Sequence, residues 1–103
     1  MKINLGKKEI IHFIGIGGIG MSGLALIMKQ LGFKIQGSDI PVNKNSDRLK
    51  KGNIKSVTQH KISNLNKANI IVISSAIKNN NIELNAAYKK DLPIYKRGDM
   101  LAH

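Results

Sequence analysis

The sequence predicts an α/β domain built on a doubly wound parallel sheet of about five strands in the order 3-2-1-4-5. Three observations lead there. The runs Ile10–Ile14 and Asn69–Ile73 are almost continuously apolar, as in strands buried on both faces. Strand-like and helix-like segments alternate along the chain with short links. Between the first strand and the first helix stands a glycine-rich turn with G-x-G-x-x-G spacing at Gly15, Gly17 and Gly20.

Each element has its own signal. After strand Ile10–Ile14, the residues Gly20, Leu24, Ile27 and Leu31 recur at helical spacing, flanked by Met21 and Met28, and Gly32 supplies a C′ stop. Phe33 to Gly37 alternates as a second strand ending at Ser38-Asp39. After the Pro41 turn, Ser46 caps a short helix through Lys51 that Gly52 stops. Ile54 to Val57 is a weak third strand, and a polar connection from Gln59 to Lys67 leads to the fourth, Asn69–Ile73. Asn81 caps a further helix to Lys89, with Glu83 in its first turn. Leu92 to Tyr95 is a short strand whose Pro93 suits an edge. Arg97 to His103 starts another helix. Right-handed crossovers give the stated strand order and set the ends of strands one and four at the switch point.

Size and composition narrow the function. The 103 residues make one domain, short for a complete enzyme with two substrates. No stretch reaches the ~20 apolar residues of a membrane span, and the polar start is unlike a signal peptide. Without cysteine there is no disulfide framework, thiolate metal site or cysteine nucleophile. A cytoplasmic protein is the simplest expectation. The net charge of +11 and pI near 10.2 suggest nucleic acid. The lysines are scattered, however, and Phe13, Phe33, Tyr88 and Tyr95 are the only aromatics available for base stacking, so the expectation is a solvated basic surface.

The glycine turn carries the chemistry. The first glycine allows a tight turn, the second allows close approach of a phosphate, and the third allows close helix–strand packing. The helix N-terminus adds unpaired N–H groups and a positive dipole end. Two further segments converge on it: Ser38-Asp39 after strand two and Ser74-Ser75-Ala76 after strand four. Asp39 stands about 20 residues beyond the loop, where an acid meets a ribose hydroxyl or base edge. It would also serve to turn the chain before Pro41, but its distance from the loop favours ligand contact. Ser74 and Ser75 either face a sugar or phosphate or simply end the strand. His60 lies in a polar connection, whereas His12, inside a strand, reads as a satisfied core histidine. There is no metal-ligand cluster, no carboxylate pair and no G-x-x-x-x-G-K-[ST] loop for ATP, so no catalytic residue is assigned.

The whole chain resembles a known family. The segments Ile11 to Ala25, Leu31-Gly32-Phe33, Gly37-Ser38-Asp39, His60, Ile70 to Lys78 and Pro93 to Ala102 resemble, in order, the opening of the bacterial ligases that join L-alanine to UDP-N-acetylmuramate, in the Mur ligase family. The resemblance implies a Rossmann-like module that binds the UDP part of that nucleotide sugar in peptidoglycan synthesis. It further implies that Gly15, Ile16, Gly17, Gly18, Ile19 and Gly20, with Met21 and Ser22, hold the diphosphate. Ser38 and Asp39 would contact the uridine, and His60, Ser74, Ser75 and Ala76 would line the site. ATP and Mg2+ are implied for the full enzyme, whose central ATP-binding and C-terminal domains are partners of this one. The chain by itself is expected to be inactive and to hold no cofactor. It departs from the family at Gln59, where glycine is common before the histidine, and at Arg97-Gly98-Asp99, where Arg-Ala-Glu is common. A related recycling ligase usually carries cysteine and threonine in the loop, so Gly17-Gly18-Ile19 fits the alanine-adding type. The competing reading is an NAD-binding module of a dehydrogenase or ligand sensor, since Gly15, Gly17, Gly20 and Asp39 satisfy that pattern too. The Ser-Ser-Ala-Ile-Lys segment and the Arg97 to Ala102 closing segment favour the ligase.

Overall fold

A computed structural model describes residues 9–18, 20–39, 49, 51–57, 60–75 and 77–98. Five strands form one parallel sheet: β1 (Ile10–Ile14), β2 (Lys34–Ser38), β3 (Lys55–Val57), β4 (Ile70–Ile73) and β5 (Ile94–Lys96). Their order, β3-β2-β1-β4-β5, is the expected one. Helix α1 (Met21–Gln30) and helix α2 (Ile82–Lys89) cover opposite faces, and a 3-10 turn (Ile62–Leu65) lies within the polar connection that the sequence left unstructured.

The period of two in each strand divides the core. Ile11, Phe13, Ile35, Ile70 and Val72 pack with Met21, Leu24, Ala25 and Met28 of α1. Ile14, Ile71 and Ile73 pack with Leu65, Leu84, Ala86 and Ala87 on the α2 side. The buried stripe of α1 differs from the one expected: Ile27 and Leu31 are more than half exposed, and Met21, Leu24, Ala25 and Met28 face the sheet instead. With Gly20 standing outside the helix as its N-cap, the i, i+3, i+4, i+7 stripe begins at Met21 and is rotated accordingly.

Helix ends share one device. At α1 the Phe33 N–H bonds the Met28 carbonyl and the Gly32 N–H that of Lys29, a Schellman closure with Gly32 at φ 99°. Asp91 takes the same left-handed position after α2 (φ 54°), with Leu92 N–H on the Ala87 carbonyl. In the short helical segment that includes Leu49 and Lys51, the left-handed residue is Asn53 (φ 60°), with Ile54 N–H on the Leu49 carbonyl. The stop is therefore Asn53 rather than Gly52, which asparagine's tolerance of this conformation allows. The expected Ser46 cap, Gln59 and residues 99–103 lie outside the described residues.

Gly37 is where sheet and glycine turn meet. A Cβ there would lie 2.5 Å from Cδ1 and 2.6 Å from Cβ of Ile16, which is buried under α1. Gly23 in α1 meets nothing within 4 Å. We therefore expect Gly37→Ala to destabilise the fold by about 1–3 kcal/mol through overpacking. Gly23→Ala should stabilise it by about 0.5–1 kcal/mol. Urea unfolding of the two variants beside the parent checks both signs.

Candidate functional site

The glycine turn is held from β2. The Ser38 carbonyl accepts from Gly15 N–H (2.9 Å) and Ile16 N–H (3.1 Å), and the Asp39 Oδ2 accepts from Gly17 N–H (2.8 Å). Gly18 N–H returns to the Gly15 carbonyl (3.0 Å), and the Gly18 carbonyl accepts from Met21 N–H (3.1 Å). Gly15 and Gly20 take φ of 84° and 81°, open to glycine without strain. The turn is thus a folded unit whose register is set by two consecutive residues at the carboxyl end of β2.

The first turn of α1 has neither a side-chain cap nor an acidic residue. Arg97, at the end of β5, instead reaches across to it. A Cβ on Gly20 would lie 3.0 Å from Arg97 Nη1 and 3.1 Å from Cζ, so the guanidinium rests directly against the N-cap. A fixed cation at the positive end of a helix dipole is unfavourable alone and becomes favourable with an anion between the two. Sequence reasoning passed over Arg97 as part of the closing helix. Its signal was its position just past a strand's carboxyl end, where open α/β sheets bind ligands.

Of the other expected site residues, Ser74 is beside the loop, its Oγ 3.5 Å from where a Cβ on Gly15 would stand. Ser75 is exposed. Met21 and Ile16 are core side chains and the Ser22 and Ser38 side chains are buried, while the N–H groups of Ile16, Met21 and Ser22 already bond the Ser38 and Gly18 carbonyls, so these expected ligand contacts shape the turn instead of facing a ligand. Ile19 and Ala76 lie outside the described residues. A depression of about 280 Å³ lined by Gln36, Lys55, Asn64 and Lys67 sits at the β3 edge, away from the glycine loop.

Behind Ser38 lies a buried polar cluster centred on Glu83. Its Oε1 accepts from Ser38 Oγ (2.6 Å) and His12 Nε2 (2.7 Å); its Oε2 accepts from Asn64 Nδ2 (2.8 Å) and Lys61 N–H (2.9 Å). Four donors satisfy the carboxylate's acceptor capacity. His12 is fully buried and satisfied, as expected: Gln36 Nε2, anchored by the Asn64 carbonyl (2.9 Å), donates to its Nδ1 (2.8 Å). That leaves the ring proton on Nε2, pointing at Glu83. His60 joins through Nδ1, 2.9 Å from Ser38 Oγ. Burial alone would raise the Glu83 pKa, but the hydrogen bonds from His12, Ser38 and Asn64 outweigh it and lower the value from 4.5 to about 2. From its place in the sequence Glu83 has only a helix-dipole role, and nothing local marks it as a buried hub.

The profile of the Mur ligase family, catalytic domain, matches residues 10–103. The chain belongs to the Mur ligase family. It is 67% identical over its full length to UDP-N-acetylmuramate–L-alanine ligase of Pelagibacter ubique, covering 22% of that protein. It is 50% identical over 99% of its length to the ligase of the same name from Brucella ovis, covering 21%. Among solved structures, the UDP-N-acetylmuramate–alanine ligase of Thermotoga maritima superposes with a TM-score of 0.82 at 32% identity, over 88% of this chain and 21% of that one. The UDP-N-acetylmuramate:L-alanyl-γ-D-glutamyl-meso-diaminopimelate ligase of Neisseria meningitides gives 0.84 at 31%, over 91% and 30%. The chain therefore spans about a fifth of the length of the alanine ligases it matches and has the Rossmann-like fold of the Mur ligase N-terminal region. Among the described residues no helix is long and apolar enough to cross a membrane.

The lowered pKa of Glu83 has a sign. Its contribution is fully present above pH 4.5 and is lost as pH falls from there toward 2. At neutral pH we expect Glu83→Gln to cost this Mur ligase domain on the order of 3 kcal/mol. The gap between variant and parent should narrow steadily in urea titrations carried down through that acid range.

Proposed function

We propose that this chain is the substrate-binding module of an ATP-dependent ligase that joins L-alanine to UDP-N-acetylmuramate, and that its part is to hold the UDP group. The observation that carries this reading is the Arg97 guanidinium against the Gly20 N-cap, a pairing of positive groups that a diphosphate completes. The names of the relatives supply the rest of the substrate. On this reading the diphosphate lies over the glycine turn, Asp39 and His60 face the nucleoside, and Ser74 and Ser75 close the side toward β4, while the buried Ser38 holds the turn and His60 without touching the ligand. Asp39 now holds Gly17 N–H, so a phosphate oxygen taking that donor displaces the carboxylate.

The ATP and Mg2+ of the ligase reaction do not fit the residues of this module. It has no G-x-x-x-x-G-K-[ST] segment, and the described residues contain no group of three or more His, Cys, Asp or Glu side chains able to hold a metal ion. We assign that chemistry to the parts of the longer ligases beyond the match, and the cytoplasm as its setting.

An amide NMR titration with UDP-N-acetylmuramate, with NAD in parallel, tests the assignment. Shifts at Gly15–Gly23, Asp39, Ser74 and Arg97 with the UDP-sugar alone are expected. A response to NAD alone would overturn it. Gly17→Val should abolish the response with the fold intact, because a side chain fills the phosphate's approach. Arg97→Gln should weaken binding by about 10- to 100-fold, the worth of one charge-assisted hydrogen bond. Mixed with ATP, Mg2+, L-alanine and the UDP-sugar, the chain should release no phosphate.

A further inference from the structure

We propose that Glu83, acting through Ser38, fixes His60 as its Nδ1–H tautomer, so that a bare Nε2 faces the site as a hydrogen-bond acceptor for a hydroxyl or imide N–H of the bound nucleoside. The choice of ligand group rests on the nucleotide reading above; the relay itself does not.

The available protons set the direction of each bond. The Ser38 hydroxyl has one to give. Its Oγ lies 2.6 Å from Glu83 Oε1, the spacing of an O–H donating to a carboxylate. An ionised carboxylate only accepts, and two bare oxygens at that distance would repel, so the Ser38 proton is committed to Glu83. The glutamate cannot supply the proton instead: its other donors, His12 Nε2–H, Lys61 N–H and Asn64 Nδ2, all point at it as well. Ser38 Oγ, with two lone pairs, must then accept from its other neighbours, His60 Nδ1 at 2.9 Å and, more weakly, the His12 Nε2–H at 3.4 Å. Glu83 Oε2, 3.4 Å from the same nitrogen, reinforces that direction. With its proton on Nδ1, a neutral His60 carries a lone pair on Nε2. The ring is partly exposed, and Ser38 itself holds the glycine turn through its carbonyl, so this lone pair belongs to the same end of β2 as the turn. A His60 in the opposite tautomer would donate from Nε2 and favour a phosphate; the relay selects against that. Glu83 is thus a positioning residue, remote from the ligand in contact but not in effect.

Ring 15N–1H correlation spectra of the 103-residue chain at about pH 8, where an unperturbed imidazole is neutral, read the tautomer directly. We expect His60 mainly as Nδ1–H, the minor form of free histidine. Glu83→Leu releases the Ser38 proton to His60 Nδ1 and should convert the ring to Nε2–H. Should that variant fail to fold, Ser38→Ala removes the acceptor at 2.9 Å and leaves only the longer Glu83 Oε2 contact, so the Nδ1–H population should fall measurably, while UDP binding weakens roughly five- to tenfold. Wild-type His60 found as Nε2–H, or a tautomer indifferent to the loss of Ser38, would overturn the relay. Added UDP should shift His60 Nε2; binding that moves the loop amides and leaves Nε2 unchanged would overturn its role as acceptor. Absence of UDP binding at every residue would contradict the nucleotide reading, and with it the ligand half of the proposal, while the tautomer would still decide the relay.

Discussion

A single buried carboxylate ties this fold together. Glu83 collects donors from β1 (His12), β2 (Ser38), the residue before the 3-10 turn (Lys61) and the turn itself (Asn64), while standing on α2. A charge removed from water in this way is tolerable only when each lone pair is met. Meeting all four fixes the relative positions of elements that are distant in sequence. Apolar packing on the α2 face sets the distance between helix and sheet, and the carboxylate sets the register within that distance. The arrangement cannot be adjusted at one point alone, because each donor is fixed by something else, as Gln36 and the Asn64 carbonyl fix His12.

Ser38 carries that constraint to the site. Its side chain belongs to the Glu83 cluster, and its carbonyl holds Gly15 and Ile16 in the glycine turn. Asp39, next in the chain, holds Gly17. On the other side of the sheet, Gly37 gives Ile16 the room it needs beneath α1. Three consecutive residues at the end of β2 thus link core, polar cluster and glycine turn. A positive helix end and the Arg97 guanidinium sit against that rigid frame. On the proposed reading, preorganised charge of this kind would need little rearrangement to take an anion, apart from the exchange of one carboxylate for one phosphate oxygen at Gly17.

Much of this was legible in the sequence, and the reasons are particular. The continuous apolar runs of β1 and β4 leave few alternatives to central parallel strands, and the handedness of crossovers then orders the sheet. Gly32 and the Asn81 cap, which accepts from Glu83 N–H and Leu84 N–H, are local signals that tertiary structure left alone. Asn53 and Asp91 as left-handed stops were less visible, because both residue types serve many turn roles. The α1 stripe was misread because Ile27 and Leu31 look as apolar as the residues that are buried, and only the sheet decides which face wins. The Glu83 cluster was out of reach for a different reason. Its members are separated by up to 71 positions, and each looks unremarkable beside its chain neighbours. Arg97 likewise acquires meaning only when β5 sets it opposite Gly20.

The chain belongs to the Mur ligase family and spans about a fifth of its alanine-ligase relatives, and the proposed role of these features is to hold a nucleotide sugar. The account stands or falls on where the diphosphate sits. A crystal structure of the chain soaked with UDP measures that directly. The account predicts phosphate oxygens between Gly17 N–H and the Arg97 guanidinium, with Asp39 turned away from the loop. A diphosphate bound elsewhere, or one bound while Asp39 keeps its hydrogen bond to Gly17, would contradict it.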